Sequence, residues 1–364
     1  MKVRDEHKQR TKALFDRRGF ARIPAVLITT QPNIFYFTGF TGEDSWAVLT
    51  PRRSTIITDG RFNLQARSES PRSRLVIRKG PIVHALAETA RKLRLGRIAC
   101  LDEEVTLALR QRLSSAVKGV RWQGLSVAPL LELREVKSPS EIAPIRQALA
   151  IAQRSFLDIL NALKPGRTER DVAAELEYRM KTLGAEAIAF PTITACGRNS
   201  ALPHARTTLT RIRPGRPITF DFGARVGGYC CDLTRTVWIG TMSARFREIY
   251  GVCLEAQLAA IDAIKAGVTA GEVDAVARNV IKRAGYGRYF VHSLGHGLGL
   301  EVHEQPALRT ASKTVLTPGM VVTVEPGIYI PEHGGVRIED DVLVERRGAR
   351  VLSDLPKALD QVVL

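Results

Sequence analysis

Leu163-Lys-Pro-Gly-Arg-Thr-Glu-Arg-Asp-Val172 and Ile264-Lys-Ala-Gly-Val-Thr-Ala-Gly-Glu-Val273 are two versions of one segment, 101 residues apart. Each runs on as a helical pattern that stops at a glycine, Gly184 and Gly285. Thr168 and Thr269 stand where helix N-caps belong, with Asp171 and Glu272 three residues later, as a capping box requires. A second match follows at an offset of 104: Pro214-Gly-Arg-Pro-Ile-Thr-Phe-Asp-Phe-Gly223 against Pro318-Gly-Met-Val-Val-Thr-Val-Glu-Pro-Gly327. The shared pattern is a turn, a strand and a carboxylate. Matches that recur in the same order argue against chance. They predict a duplicated α+β fold with a pseudo-twofold relation between its halves.

Each half carries a second acid beyond the first, Asp232 after Asp221 and Glu339 after Glu325. Ile218–Asp221 reads as a strand, Gly223 and Gly227-Gly228 as a turn, and Asp232 as part of the returning strand. Val321–Val324 reads as a strand ending at Glu325, with Gly334-Gly335 as the turn back to Val336–Glu339. Four acids at strand ends in apolar surroundings are costly to bury unless they are paired or bound to cations.

Three of the seven histidines, His292, His296 and His303, fall within twelve positions. Gly295, Gly297 and Gly299 between them allow close backbone approach. His303-Glu304 lacks the second histidine of a HExxH helix, which argues against a single-zinc protease of that class. Asp221, Asp232, His296, Glu325 and Glu339 together suit a centre of two divalent cations about 3.5–4 Å apart that share a water or hydroxide. Oxygen donors with one imidazole favour Mn²⁺, with Co²⁺ or Zn²⁺ as alternatives. This spacing predicts a dinuclear hydrolase and names no substrate.

Outward from this region, Glu135-Val-Lys-Ser-Pro-Ser-Glu141 marks a boundary. Ser138, Pro139 and Glu141 are a cap, a first-turn proline and a capping-box acid. Ile142, Ile145, Leu149, Ala152, Phe156 and Ile159 then follow helical spacing. Pro144 is expected to kink that helix. Upstream, Ala25–Thr30, Ile34–Phe37, Trp46–Thr50 and Thr55–Thr58 read as strands, and 81–94 and 105–117 as helices. The expected division is an α/β domain over 1–132 and a catalytic domain over 138–364.

The 364 residues, 45% hydrophobic and 25% charged, exclude intrinsic disorder as the main state. No apolar run reaches the roughly 18 residues of a membrane span. The N-terminus MKVRDEHKQRTKALFDRRGF lacks the apolar core of a signal peptide, so a cytoplasmic location is expected. Five cysteines without CxxC spacing argue against a disulfide framework or a thiolate zinc site. They read as small core residues. Of the net charge of +17, +13 falls in residues 1–137. Nucleic acid is the sharp reading of that excess. No aromatic residues interleave with the basic runs and no reader motif is present, which favours a solvated surface.

Several blocks resemble the pita-bread metallopeptidases, the group of Xaa-Pro aminopeptidases, prolidases and methionine aminopeptidases. They are Asp221-Phe-Gly223 with Asp232-Leu-Thr-Arg-Thr236, Gly295-His-Gly-Leu-Gly-Leu-Glu-Val-His-Glu304, Val324-Glu-Pro-Gly-Ile-Tyr329 and Gly335-Val-Arg-Ile-Glu-Asp340. Their order matches from about residue 24 to the end. The resemblance implies that all five residues above are metal ligands. It implies that His204 contacts substrate near the scissile bond, that His303 stabilises the tetrahedral intermediate, that Glu325 shuttles a proton and that Arg337 ties the site electrostatically. Arg337 can alternatively be a structural ion-pair partner of Asp232 or Glu339. Tyr329 and Thr234 are supporting candidates. Ile34-Phe-Tyr-Phe-Thr-Gly-Phe-Thr-Gly42 and Thr58-Asp-Gly-Arg-Phe62 resemble the leader domain of the Xaa-Pro peptidases. That domain implies a homodimer, with residues 1–132 serving oligomerisation and the substrate pocket. The implied reaction is hydrolysis of the bond before proline in dipeptides or longer peptides. The competing readings are a nucleic-acid-binding protein acting through the basic N-terminal third, and a hydrolase of another amide or ester. Cys231, where the group often carries a small polar residue, is a candidate oxidation-sensitive position.

Overall fold

The computed structural model describes residues 3–364. Met1 and Lys2, at the start of the segment read as lacking a leader, lie outside the described residues. The chain divides into two compact units that meet in sequence between Leu133 and Arg134.

The first unit is built on a six-stranded mixed sheet of β1 (Val26–Ile28), β2 (Trp46–Leu49), β3 (Ser54–Asp59), β4 (Arg74–Arg78), β5 (Arg97–Leu101) and β6 (Arg121–Leu125). The spatial order is β4-β3-β2-β1-β5-β6. β2 pairs antiparallel with both β1 and β3, and the other neighbours run parallel. Central β1 is buried at every residue, as expected of a strand covered on both faces. Leu27, Val48 and Ile57 from the sheet pack with Leu86 and Leu113 from the helices Ile82–Lys92 and Leu107–Ala116.

Ile34–Phe37, expected as a strand, lies in the helix Gln31–Thr38. A proline in its first turn and Gly39 at φ 76° after its last residue are the start and stop signals. A short apolar run that is buried nearly all round has no periodicity to distinguish the two states.

In the second unit the duplication is physical. Helix Pro139–Ala162 precedes Glu169–Thr182, and Ala244–Ala263 precedes Ala270–Arg283. Both second helices carry the expected capping boxes on Thr168 and Thr269. Backbone contacts repeat at the same offsets. Gly166 donates to Ile212 and Gly267 to Leu316, while Glu169 donates to Thr210 and Ala270 to Thr314. The isolated bridges Thr168–Arg211 and Thr269–Val315 also correspond.

The helix Pro139–Ala162 continues through Pro144 rather than ending there. Ile145, Leu149, Ala152, Phe156 and Ile159 are all buried along one face. That burial outweighs the single backbone hydrogen bond a proline removes.

Two antiparallel sheets carry the acids. One orders Leu233–Val237, Ile218–Phe222 and Ile193–Cys196. The other orders Glu304–Leu308, Gly295–Gly297, Val321–Val324, Asp340–Glu345 and Gly348–Val351. Gly334-Gly335 is not the turn expected. The two glycines open the strand Gly334–Arg337, paired with Gly327–Ile330, and residues 331–333 make the turn. A Cβ on Gly335 would lie 2.3 Å from the Ser200 carbonyl oxygen, and one on Gly334 2.6 Å from Pro217. The glycines permit close approach to the turn Gly197–Ala201.

All five cysteines are buried and free of disulfides. Burial pushes the Cys231 thiol well above its usual range. A protonated, enclosed thiol is a poor nucleophile, contrary to the oxidation-sensitive role considered for it. No helix among the described residues is long and apolar enough to cross a membrane.

Candidate metal centre

Asp221 sits on the strand Ile218–Phe222, opposite Thr234 on the returning strand. Asp232 just precedes that strand, which begins at Leu233, instead of lying within it. His296 is the middle residue of Gly295–Gly297. Glu325 follows Val324, and Val324 pairs with Asp340, so the sheet brings Glu325 and Glu339 to the same end. All five line one cavity of about 450 Å³, together with His204, His292, His303 and Arg337.

The closest cluster is Asp232, His296 and Glu339, each offering one donor atom within 4.8 Å of the others. His296 Nε2 lies 3.3 Å from Glu325 Oε1 and 3.7 Å from Asp232 Oδ2. Its Nδ1 lies 3.0 Å from the Gly297 carbonyl oxygen. A carbonyl only accepts, so Nδ1 carries the proton and Nε2 faces the acids, the arrangement of a metal-binding imidazole.

Four carboxylate oxygens, Asp221 Oδ1, Asp232 Oδ1, Glu339 Oε1 and Asp341 Oδ1, are buried without a hydrogen-bond donor among the described residues. Burial first, then repulsion from Glu339 and Asp221, holds Asp232 well above the usual carboxylate range. Burial, then Glu325 and Asp221, does the same to Glu339. At Asp221 burial prevails over Arg337 and the shift is also upward. Glu325 moves the other way: burial opposes it, but the hydrogen bond and charge of His296 bring it down to about 2. Orphaned acceptors and acids that repel each other are the chemical fit for divalent cations, which replace both deficits at once.

Arg337 pairs with Asp221, with Nη2 2.5 Å from Oδ2, and not with Asp232 or Glu339. It also donates to Thr234 Oγ1 at 3.1 Å, Tyr329 Oη at 2.8 Å and the Pro203 carbonyl at 3.0 Å. The last bond fixes the loop that carries His204. The Thr234 hydroxyl in turn donates a hydrogen bond to Glu339 Oε2 at 2.5 Å. Tyr329 donates to His292 Nε2 at 2.9 Å, because His292 Nδ1 is committed to the Ser293 carbonyl. Thr234 and Tyr329 therefore belong to one buried network. His303 packs edge-on against His296, ring centroids 4.4 Å apart. Partial loss of solvent around the ring, then the neighbouring His296, lowers its pKa.

Asp341 was missed by sequence reasoning. It is fully buried and accepts from the Asp232 backbone N–H at 3.2 Å. The acidic run Glu339-Asp340-Asp341 was its only signal. The apolar wall of Phe190, Ile193 and Val302 had none, because those residues read as ordinary core.

The family model described as "Metallopeptidase family M24" matches residues 143–346. That of the "Creatinase/Prolidase N-terminal domain" matches residues 9–136. A curated Xaa-Pro dipeptidase of Pyrococcus horikoshii is 35% identical, over 98% of this chain and 99% of its own. The solved structure of a Xaa-Pro dipeptidase from Bacillus anthracis superposes with a TM-score of 0.93. It is 39% identical and covers 99% of this chain and 100% of its own. An X-Pro aminopeptidase from Thermotoga maritima gives a TM-score of 0.89 at 40% identity, over 94% and 98% of the two chains. The duplicated helices, the paired acids and these matches agree: the chain belongs to metallopeptidase family M24, an α/β creatinase/prolidase N-terminal domain followed by an α+β pita-bread catalytic domain.

Proposed function

We propose that this enzyme hydrolyses the peptide bond before proline, with Asp221, Asp232, His296, Glu325 and Glu339 as ligands of two divalent cations, most suitably Mn²⁺. The observation that supports it is the cavity itself, where orphaned carboxylate oxygens meet one imidazole beside His204 and His303. Bound there, the cations supply Lewis acidity and an activated water.

The chain's own groups do the rest. Glu325 carries a proton from the attacking water towards the departing proline nitrogen. His303, with one N–H in its neutral form, donates to the oxyanion that develops on the scissile carbonyl. His204 holds the substrate near that carbonyl. Arg337 fixes Asp221 and, through Pro203, the His204 loop. Phe190, Ile193 and Val302 form a wall suited to a proline ring. Proline's tertiary amide has no N–H for a general peptidase to read, and an apolar seat replaces that donor.

We further assign residues 1–132 to dimerisation and pocket shape, and the enzyme to the cytoplasm as a homodimer. Five unpaired cysteines suit a reducing compartment. Two similar proteins named for dipeptides and for aminopeptidase action support the proline reading without choosing the peptide length.

The test is hydrolysis of Xaa-Pro and Xaa-Pro-Yaa peptides by metal-free protein to which Mn²⁺ is added, beside Asp232→Ala. Manganese-dependent cleavage lost in the variant is expected, and the preferred length assigns dipeptidase or aminopeptidase. Absence of cleavage with Mn²⁺, Co²⁺ and Zn²⁺ alike overturns the proposal.

A further inference from the structure

Arg134 and Lys137 lie at the start of the second unit, far in sequence from the cavity, yet both end on Glu304. Arg134 Nη2 pairs with Glu304 Oε1, and Lys137 Nζ lies 3.1 Å from Glu304 Oε2. Arg134 also reaches Glu301 Oε2 at 2.8 Å. The side chains of Arg134, Lys137 and Glu304 are only 3%, 1% and 6% exposed. Glu304 is the buried carboxylate of the group, paired with both cations, while Glu301 is half-exposed; a buried carboxylate is tolerated where it is paired in this way.

What this cluster grips is the loop 301–304, which carries His303. Glu304 is the residue after His303 and opens the strand Glu304–Leu308. Its Oε1 also accepts from the Glu301 backbone N–H at 3.1 Å, so one carboxylate closes the loop on itself. In backbone register Glu304 faces Gly297, the neighbour of His296. The carboxylate packs against Gly299 so closely that a Cβ there would come within 2.7 Å of Oε2. His303 itself is exposed, with its ring resting edge-on against His296. An exposed side chain on a short loop keeps its orientation only if the loop is held from behind. Lys137 is in turn fixed by its backbone, whose N–H donates to Gly319 at 2.9 Å. Gly319 lies just before the strand Val321–Val324 that leads to Glu325.

We infer that Arg134 and Lys137, acting through Glu304, are positioning residues for His303. The inference rests on the role given to His303 above. Its chemical content is that the clamp sets the direction of the His303 N–H at the developing oxyanion. It makes no difference to how tightly substrate binds before that charge develops.

Glu304→Gln and Arg134→Lys test it. Glu304→Gln keeps the size of the side chain and removes its charge, whereas Arg134→Lys keeps the charge and removes the fork that reaches both Glu301 and Glu304; Arg134→Lys carries the test if Glu304→Gln fails to fold. The expected result for Glu304→Gln is kcat lower by about 10- to 100-fold with KM little changed, the pattern of a misdirected transition-state contact. In a His303→Ala background the same substitution should produce no further fall. A fall of equal size in both backgrounds overturns the inference. A second readout is independent of activity. In ¹³C-histidine-labelled protein, the ring resonance of His303 should shift or broaden in both variants, while those of His84 and His333 stay in place. An unmoved His303 resonance overturns the clamp even if kcat falls. If the metal-loaded enzyme cleaves no Xaa-Pro peptide, the resonance alone decides, so failure of the peptidase reading and failure of the clamp remain distinguishable.

Discussion

Arg337 shows how one residue can organise a site it need not react in. It is 3% exposed and sends hydrogen bonds to Asp221, Thr234, Tyr329 and the carbonyl of Pro203. A lysine holds the same charge but cannot make a planar fork of bonds. Arg337→Lys is therefore expected to lower activity by about 10- to 100-fold. Steady-state kinetics at saturating Mn²⁺, beside a Mn²⁺ binding curve, separates misplaced substrate contacts from lost metal affinity. The sequence showed that Arg337 stands beside Glu339, and this suggested Glu339 or Asp232 as its partner. Its actual partner, Asp221, is 116 residues away. The strand Gly334–Arg337 ends at Arg337 and Glu339 lies in the step before Asp340–Glu345, so the two side chains need not share a strand face and proximity in sequence was misleading. The ligand residues were legible for a different reason: acids at the ends of apolar strands stand out wherever they occur, whereas a pairing appears only when strands are registered.

At the scale of elements, the two capped helices carry the duplication. Thr168 Oγ1 accepts from Asp171 N at 3.1 Å, and Thr269 Oγ1 accepts from Glu272 N at 3.2 Å. Asp171 and Glu272 return the favour to the cap N–H groups at 3.1 and 2.7 Å. Thr168→Ala and Thr269→Ala should each cost about 1 kcal/mol, and the serine variants much less. Equal losses by urea denaturation would match the equivalence of the halves, whereas a loss at only one would contradict it. Such elements are readable because caps and periodicity are local. The helix Gln31–Thr38 and the Gly334-Gly335 strand opening were not. Ile34–Phe37 lacks a polar face to set its period, and the glycines answer to Ser200, a neighbour only in three dimensions.

At the scale of the whole catalytic unit, the C-terminal tail is tied to the centre through Asp340. This fully buried carboxylate takes Arg235 Nη2 and Ser353 Oγ at 2.7 Å, Gln257 Nε2 at 2.7 Å and Lys357 Nζ at 2.5 Å. Trp238 bridges to Val363 near the chain's end. Burial alone would raise the Asp340 pKa, but Arg235 and Lys357 prevail and lower it. A lowered carboxylate stabilises the fold above its unfolded pKa, near 4. That stabilisation is lost as pH falls through the folded value. The urea midpoint should therefore decline below about pH 4, and Asp340→Asn should flatten that decline while lowering the midpoint at neutral pH. A pH profile identical to that of the unaltered protein would contradict the assignment. None of these tail contacts was legible in sequence, because Ser353, Lys357 and Val363 carry no motif. The duplicated core was legible because its signals repeat.

The chemistry proposed for the catalytic unit requires the buried acids and His296 to hold two cations. Calorimetric titration of Mn²⁺ into metal-free protein tests it most directly. Two equivalents should bind, with at least one lost in Asp232→Asn although the variant remains folded. No binding, or an unchanged isotherm in Asp232→Asn, would contradict a two-cation site at these residues.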